Sequence, residues 1–269
     1  MDDDDHDHDI DIRRRALEEA FGESSDGDDD EFESSEVAEE KEGDVRPLTW
    51  EMVDGVKGLW LCRSFLCPSQ QSSLLSAIRG EGWFDDGCHN QAMRFGDLPG
   101  WAAQLSQLVR EAVWFSDVSP ASGKELSPTV EHGEDCWPLP LDLLWREPLF
   151  DQLIANVYNP GEGICAHVDL MRFADGIAII SLESECVMHF TRPKQGESNN
   201  EVQGEVQGEE GPLIRVPVLL NPGSLVLMSG EARYLWKHEI NRKQGFQFWN
   251  GEAIHQQRRT SVTLRKLCK

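Results

Sequence analysis

From Leu153 onward the chain is cut into short apolar runs, "LIANVY", "GIAIISL", "ECVMHFTR", "IRVPVLL", "GSLVLMS" and "RRTSVTLRKL", each closed by turn residues. Strands this short cannot bury an apolar side alone, so they must close on one another as a β-sandwich or barrel. Ahead of them, "LWLC" reads as a strand and a helix is predicted from about Ser69 to Arg79, with Leu74, Leu75 and Ile78 inward and Gly80 as its stop. A second helix falls in "LPGWAAQLSQLVREAVWF", where Trp101, Leu105, Leu108 and Val109 share a face. Between the helices, "DDGCHNQAMRFGD" reads as a loop or hairpin. The expected class is α+β, mainly β, with helices flanking the strands on their N-terminal side.

Charge divides the chain. Residues 1–44 hold 21 Asp or Glu against 4 Lys or Arg, a net of −17 out of −24, which leaves the remaining 225 residues at −7. With so little apolar surface, residues 1–46 are expected to be a disordered acidic tail and residues 47–269 one folded domain. Residues 117–140, rich in Ser, Pro and Gly, read as a surface excursion, and "PKQGESNNEVQGEVQGEEGP" as a polar hairpin extension. No run approaches the eighteen apolar residues of a membrane helix, and the acidic start is the opposite of a secretory signal, so an intracellular protein of cytoplasm or nucleus, with no membrane partner, is expected. Seven scattered cysteines without a C-x-x-C pair suit reduced thiols rather than a disulfide framework.

The stretch "NVYNPGEGICAHVD" sets His167 and Asp169 two apart after a glycine-rich turn. Two imidazoles and one carboxylate on one face form the ligand set of non-haem iron(II) sites. A lone His-x-Asp is weak evidence in a chain this rich in aspartate, but here strands flank it on both sides. Of the other histidines, His189 alternates within a strand, His255 lies in a polar stretch, and the "HGE" at His132 has no flanking strand. His238, after "GSLVLMS", is the expected third ligand.

In "RRTSVTLRK", period-two alternation puts Arg259, Ser261, Thr263 and Arg265 on one face and Thr260, Val262 and Leu264 on the other. Buried guanidinium groups call for an anion, and a small dicarboxylate fits between two of them. Asn156 and Tyr158 share a strand face and would add an amide and a hydroxyl as donors.

Taken together, "NVYNPGEGICAHVD", "GSLVLMSGEARYLWKHEI" and "RRTSVTLRK" resemble the AlkB family of iron(II)- and 2-oxoglutarate-dependent dioxygenases, most like the branch that hydroxylates modified wobble uridines in tRNA. The likeness covers about residues 150–268 well and the preceding hundred loosely, through "HNQAMRFGDLPGW". It implies a double-stranded β-helix (jelly-roll) core over about residues 150–268. It implies iron on His167, Asp169 and His238, and 2-oxoglutarate among Asn156, Tyr158, Arg259 and Arg265, with Arg259 on the distal carboxylate and Arg265 nearer the metal. By the family's chemistry, O2 and 2-oxoglutarate give succinate and CO2 while a substrate carbon is hydroxylated; an N-methyl group is lost as formaldehyde.

Glu239 stands where the family usually has glycine, placing a charge beside the distal histidine. The expected substrate is a nucleic acid base, in RNA rather than DNA, with Trp83, His89, Phe95 or Trp236 to stack on it and Arg242, Lys243, Arg258 and Lys266 as a small basic patch. The same chemistry on a protein side chain, and a non-catalytic jelly-roll binding protein, are the other two readings.

Overall fold

A computed structural model describes residues 48–116, 137–194, 212–243 and 245–268. The expected acidic tail, almost all of the Ser/Pro-rich excursion with its "HGE", and the "EVQG" insert lie outside the described residues.

The N-terminal part carries β1 (Trp50–Met52), β2 (Leu59–Cys62), α1 (Pro68–Gly80), β3 (Gln91–Phe95), α2 (Gly100–Trp114) and α3 (Leu141–Leu144). The strand-rich part follows as β4 (Gln152–Tyr158), β5 (Ile164–His167), β6 (Ile177–Leu182), β7 (Cys186–Pro193), β8 (Leu213–Leu220) and β9 (Leu225–Met228). It closes with α4 (Gly230–Tyr234), β10 (Lys237–Ile240), β11 (Phe248–Trp249), β12 (Glu252–Ala253) and β13 (Arg259–Arg265). Both expected helices are present. Pro68 opens α1, where its missing N–H is harmless, and the Gln70 side chain accepts a hydrogen bond from the Cys67 amide at 2.8 Å.

Seven strands form one sheet in the order β1-β2-β9-β6-β13-β4-β3, and four form a second in the order β5-β10-β7-β8, every pairing antiparallel. This is the mainly β, two-sheet architecture expected from the spacing of the apolar runs, and the jelly-roll that the resemblance implies. The large sheet uses both faces. Trp60, Cys62, Leu153, Ala155, Ala178, Ile180, Leu225, Leu227, Val262 and Leu264 point outward and are buried with Leu74, Ile78, Trp101, Leu105 and Val109 of α1 and α2. Leu59, Leu61, Ile177, Ile179, Val226 and Met228 point inward against Cys186, Met188, Phe190, Val218 and Leu220 of the small sheet. Each fully buried aliphatic side chain here contributes about 1.5–3 kcal/mol, and the alternation locks the register, because a slip of one residue would reverse both faces.

One element differs from expectation. Gln91–Phe95, read as loop or hairpin, is the edge strand β3, paired along β4 from Gln91↔Asn156 to Phe95↔Gln152. Four of its five residues are exposed, so no apolar periodicity marked it; its partner strand makes it a strand. β13 is central, between β4 and β6, and all seven of its residues are buried, its polar ones included.

Candidate functional site

The inner face of the large sheet changes character along its width. Apolar on β2, β9 and β6, it turns polar on β13 and β4, where Arg259 pairs with Tyr158, Ser261 with both Asn156 and Ser181, and Arg265 with Gln152. Partners in register share a face, so the cleft is lined by the polar positions of both strands. Across it stand β5 and β10 of the small sheet.

His167 ends β5 and lies opposite His238 of β10, with ring centroids 4.3 Å apart. The pairing then shifts, since Ile240 meets Ile164, which leaves one extra residue on β5. Such a bulge turns side chains away from strict alternation, a frequent device beside active sites. The glycines in front of it have separate reasons. Gly161 has φ of +92°, and a Cβ on Gly163 would overlap the Ile240 carbonyl oxygen of β10.

One ligand atom each from His167, Asp169 and His238 lies within 4.8 Å of the others, and they are the cluster of metal-ligating type found among the described residues. His167 Nδ1 is 2.8 Å from the Cys165 carbonyl oxygen, which accepts its proton and leaves the Nε2 lone pair free. Burial pushes the His238 imidazole down to about 4, against the opposing pull of the Asp169 carboxylate, so it is a neutral donor at pH 7. Phe190, fully buried, backs the His238 ring at a centroid separation of 6.1 Å. Asp169 Oδ2 is 3.7 Å from His238 Nε2, while Oδ1 accepts a hydrogen bond from Arg265 Nη1 at 2.6 Å. Two imidazole nitrogens and one carboxylate oxygen, on the cleft side, fit a divalent iron with positions left for other ligands.

The cleft also holds a cation that has no counter-ion among the described residues. Arg259 is 1% exposed; its Nε donates to the Ser181 hydroxyl at 3.0 Å, its Nη2 has no partner among the described residues, and none of their ion pairs includes it. Leaving a buried guanidinium so placed costs several kcal/mol unless an anion arrives. Tyr158 lies under it at 5.4 Å and is tied to Ser261, and burial raises the Tyr158 hydroxyl pKa. Asn156 accepts from Gln91 Nε2 at 2.7 Å, which leaves its own amide hydrogens for a ligand. Arg265, expected beside the dicarboxylate, has one amino group committed to Asp169, and its Nε is unpartnered among the described residues.

Other expected contacts need correction. Trp236 is 1% exposed in the core between the sheets and cannot reach a substrate base. Trp83 packs on the helix side of the large sheet, under Arg94 and beside Trp101, away from the cleft. Lys266 is buried and paired to Asp151 at 2.7 Å, which removes it from any basic patch. His189 is buried on the outer side of the small sheet beside Phe246, and His255 is exposed, so neither joins the triad. Reading the sequence missed Ser181, Gln91 and Arg233, whose roles depend on neighbours 60 or more residues away.

A jelly-roll with a His-x-Asp…His cluster facing a buried, unpaired arginine defines the architecture of an iron oxygenase that takes a keto-diacid cosubstrate. The profile of the 2OG-Fe(II) oxygenase superfamily matches residues 59–265, and the chain belongs to that superfamily, whose reactants are iron(II), 2-oxoglutarate and O2. The curated relatives carry the AlkB likeness. The chain is 25% identical over 229 residues to an Arabidopsis thaliana alkylated DNA repair protein ALKBH8 homolog, covering 79% of this chain and 59% of the relative. It is 42% identical over 192 residues to the Xenopus tropicalis tRNA (carboxymethyluridine(34)-5-O)-methyltransferase alkbh8, covering 70% of this chain and 26% of that protein. The chain thus spans less than two thirds of either relative. Among solved structures, OsALKBH1 aligns with a TM-score of 0.45 at 16% identity, over 78% of this chain and 98% of that one.

Proposed function

We propose that the chain is an iron(II)- and 2-oxoglutarate-dependent dioxygenase that hydroxylates or demethylates a nucleic acid base, with tRNA as the substrate class. One observation carries the reaction: the His167, Asp169 and His238 cluster shares a cleft with the unpaired, buried Arg259. In this reading the two Nε2 lone pairs and Asp169 Oδ2 hold the metal. Arg259 takes the distal carboxylate of 2-oxoglutarate, with Tyr158 and Asn156 donating further hydrogen bonds. When bound, iron with 2-oxoglutarate and O2 supplies an oxidative decarboxylation to succinate and CO2 coupled to oxygen insertion into a substrate C–H bond. Phe190 and Ile240, both buried in the core between the sheets, pack on the inner side of the cleft.

The rim supports a base as the occupant. Met93 and Phe95 on β3 are about half exposed and face the same way as the cleft residues. Phe95 and Arg265 both flank Gln152, so their backbones stand about 10 Å apart, two strand spacings. Leu170 and Met171 are exposed directly after Asp169, and the Arg172 guanidinium lies over Phe95 at 5.7 Å. An aromatic edge beside an exposed arginine suits an unpaired base and its phosphate. The acidic balance of the folded part argues against tight nonspecific duplex binding and favours recognition by stacking.

Succinate release from the full chain with iron(II) tests this, with total tRNA, methylated oligonucleotides and a protein extract in parallel. The expected result is turnover stimulated by tRNA. Stimulation by protein alone would move the substrate to a protein side chain, and no succinate with any of them would leave a binding protein.

A further inference from the structure

We infer that Arg233 is a positioning residue for the metal site: one buried guanidinium locks the turn carrying Asp169 to the segment carrying His238. This rests on the metal reading above. Arg233 lies on α4, is 1% exposed, and precedes His238 by five residues. Its Nη1 donates to the Asp169 carbonyl oxygen at 3.0 Å, and its Nη2 to those of Leu170 at 2.8 Å and Phe173 at 2.9 Å. Three carbonyls of one turn therefore converge on one side chain from sixty or more residues away.

The turn's other backbone ties lie toward its far end, where the Cys268 amide donates to the Arg172 carbonyl at 2.8 Å, the Ala174 amide to the Lys266 carbonyl at 2.8 Å and Arg146 to the Gly176 carbonyl at 3.1 Å, so at Asp169 and Leu170 the grip from outside the turn is that of Arg233. No strand or helix spans residues 168–176, and Leu170 and Met171 are exposed. At its far end the Asp175 carboxylate accepts the Gly230 amide at 3.0 Å, which ties the turn to the first residue of the same α4. Both ends of the segment are thus gripped by one five-residue helix that leads directly into β10. The side-chain grip of Arg265 fixes the carboxylate, whereas Arg233 fixes the backbone from which that carboxylate hangs.

The chemistry of the grip favours a positional role over a packing one. A buried guanidinium is costly without a carboxylate, and none pairs with Arg233 among the described residues; a methionine would fill the space at less cost. What methionine lacks is the planar fork that satisfies three carbonyls at fixed angles, and lysine lacks it too. Losing the fork releases the Asp169 and Leu170 carbonyls at the near end of the turn, and the 3.7 Å separation of Asp169 Oδ2 from His238 Nε2 loses its backbone anchor.

The test uses the full chain and cobalt(II) as a stand-in for iron, with affinity read by calorimetry and the amides of residues 170–173 followed by hydrogen exchange. Arg233→Met and Arg233→Lys are each expected to weaken cobalt binding about tenfold or more, as is usual when an outer partner of a metal ligand is lost, and to speed exchange in the turn. Leu74→Ala, in the helix-side core, serves as the control for lost stability: it should lower the melting temperature yet keep cobalt affinity within about twofold. Cobalt affinity unchanged in both Arg233 variants would overturn the inference, as would an equal loss in Leu74→Ala. If His167→Ala still binds cobalt as the parent does, the metal reading has failed; if only that variant loses binding, the Arg233 inference has failed alone.

Discussion

Asp169 and Arg265 form a buried pair at 2.6 Å that leaves one carboxylate oxygen facing the two histidines. The guanidinium takes Oδ1 and so turns Oδ2 toward His238, which leaves one oxygen for the proposed metal. Removing Arg265 would strand a charge in a site where both partners are about nine-tenths buried or more. Arg265→Met is expected to destabilise the protein by about 3–5 kcal/mol and to weaken cobalt(II) binding about 10- to 100-fold. Denaturant unfolding and metal titration check the two effects separately; unchanged metal affinity would show that Asp169 needs no such partner.

Arg259 has no anionic partner among the described residues, so its loss should act through the ligand. Arg259→Met is expected to leave the ligand-free protein as stable or more so, because an uncompensated buried charge is removed. The same change should raise the KM for 2-oxoglutarate by about 100-fold or more, each charge-assisted hydrogen bond being worth about 1.5–3 kcal/mol. Melting curves with and without 2-oxoglutarate give the readout: the cosubstrate should stabilise the parent and not the variant. Equal stabilisation of both would place the dicarboxylate elsewhere.

The depressed pKa of His238, about 4 against 6.5 when exposed, predicts the acid limb of stability for the metal-free protein. Between those values the unfolded chain holds a proton that the folded protein does not. Stability is therefore complete above about pH 6.5 and falls as pH drops toward 4, by about 3 kcal/mol from this group. His238→Gln should flatten that limb in a denaturant series from pH 4 to 7. A variant with the parent's slope would show that His238 is not the group responsible.

Phe95 should matter to substrate and not to the cosubstrate. Phe95→Ala is expected to raise the KM for the RNA substrate about 5- to 150-fold, the range for one lost base stack of about 1–3 kcal/mol. Succinate formation without substrate should keep its rate, since Phe95 lies on β3, outside β4 and β13, which carry the proposed 2-oxoglutarate residues. Loss of both activities would mean that β3 supports the cleft rather than the substrate.

Much of the site was legible because its residues carry their chemistry in short patterns. His167 and Asp169 are two apart, Arg259 and Arg265 obey strand alternation, and Asn156 and Tyr158 do the same on β4. Residues whose role depends on a distant partner were illegible. Arg233 has no pattern until the turn at 169–173 lies against it, and β3 has no apolar period because β4 supplies its hydrogen bonds. Trp236 and Lys266 misled for the converse reason, since burial and the Asp151 pair are invisible from neighbours in the chain.

The sequence by itself determined the layers: period-two runs and two amphipathic helices are local consequences of which residues refuse water, and they require a mainly β body with helices on one side. It also determined the donor types of the site, since imidazole, carboxylate and guanidinium have fixed affinities wherever they sit. Only the tertiary structure decided which histidine faces His167, which oxygen of Asp169 is left free, and which arginine is left without an anion. Those outcomes come from register and burial, set by contacts across 60 to 100 residues of chain, and no local pattern of residues encodes a distance.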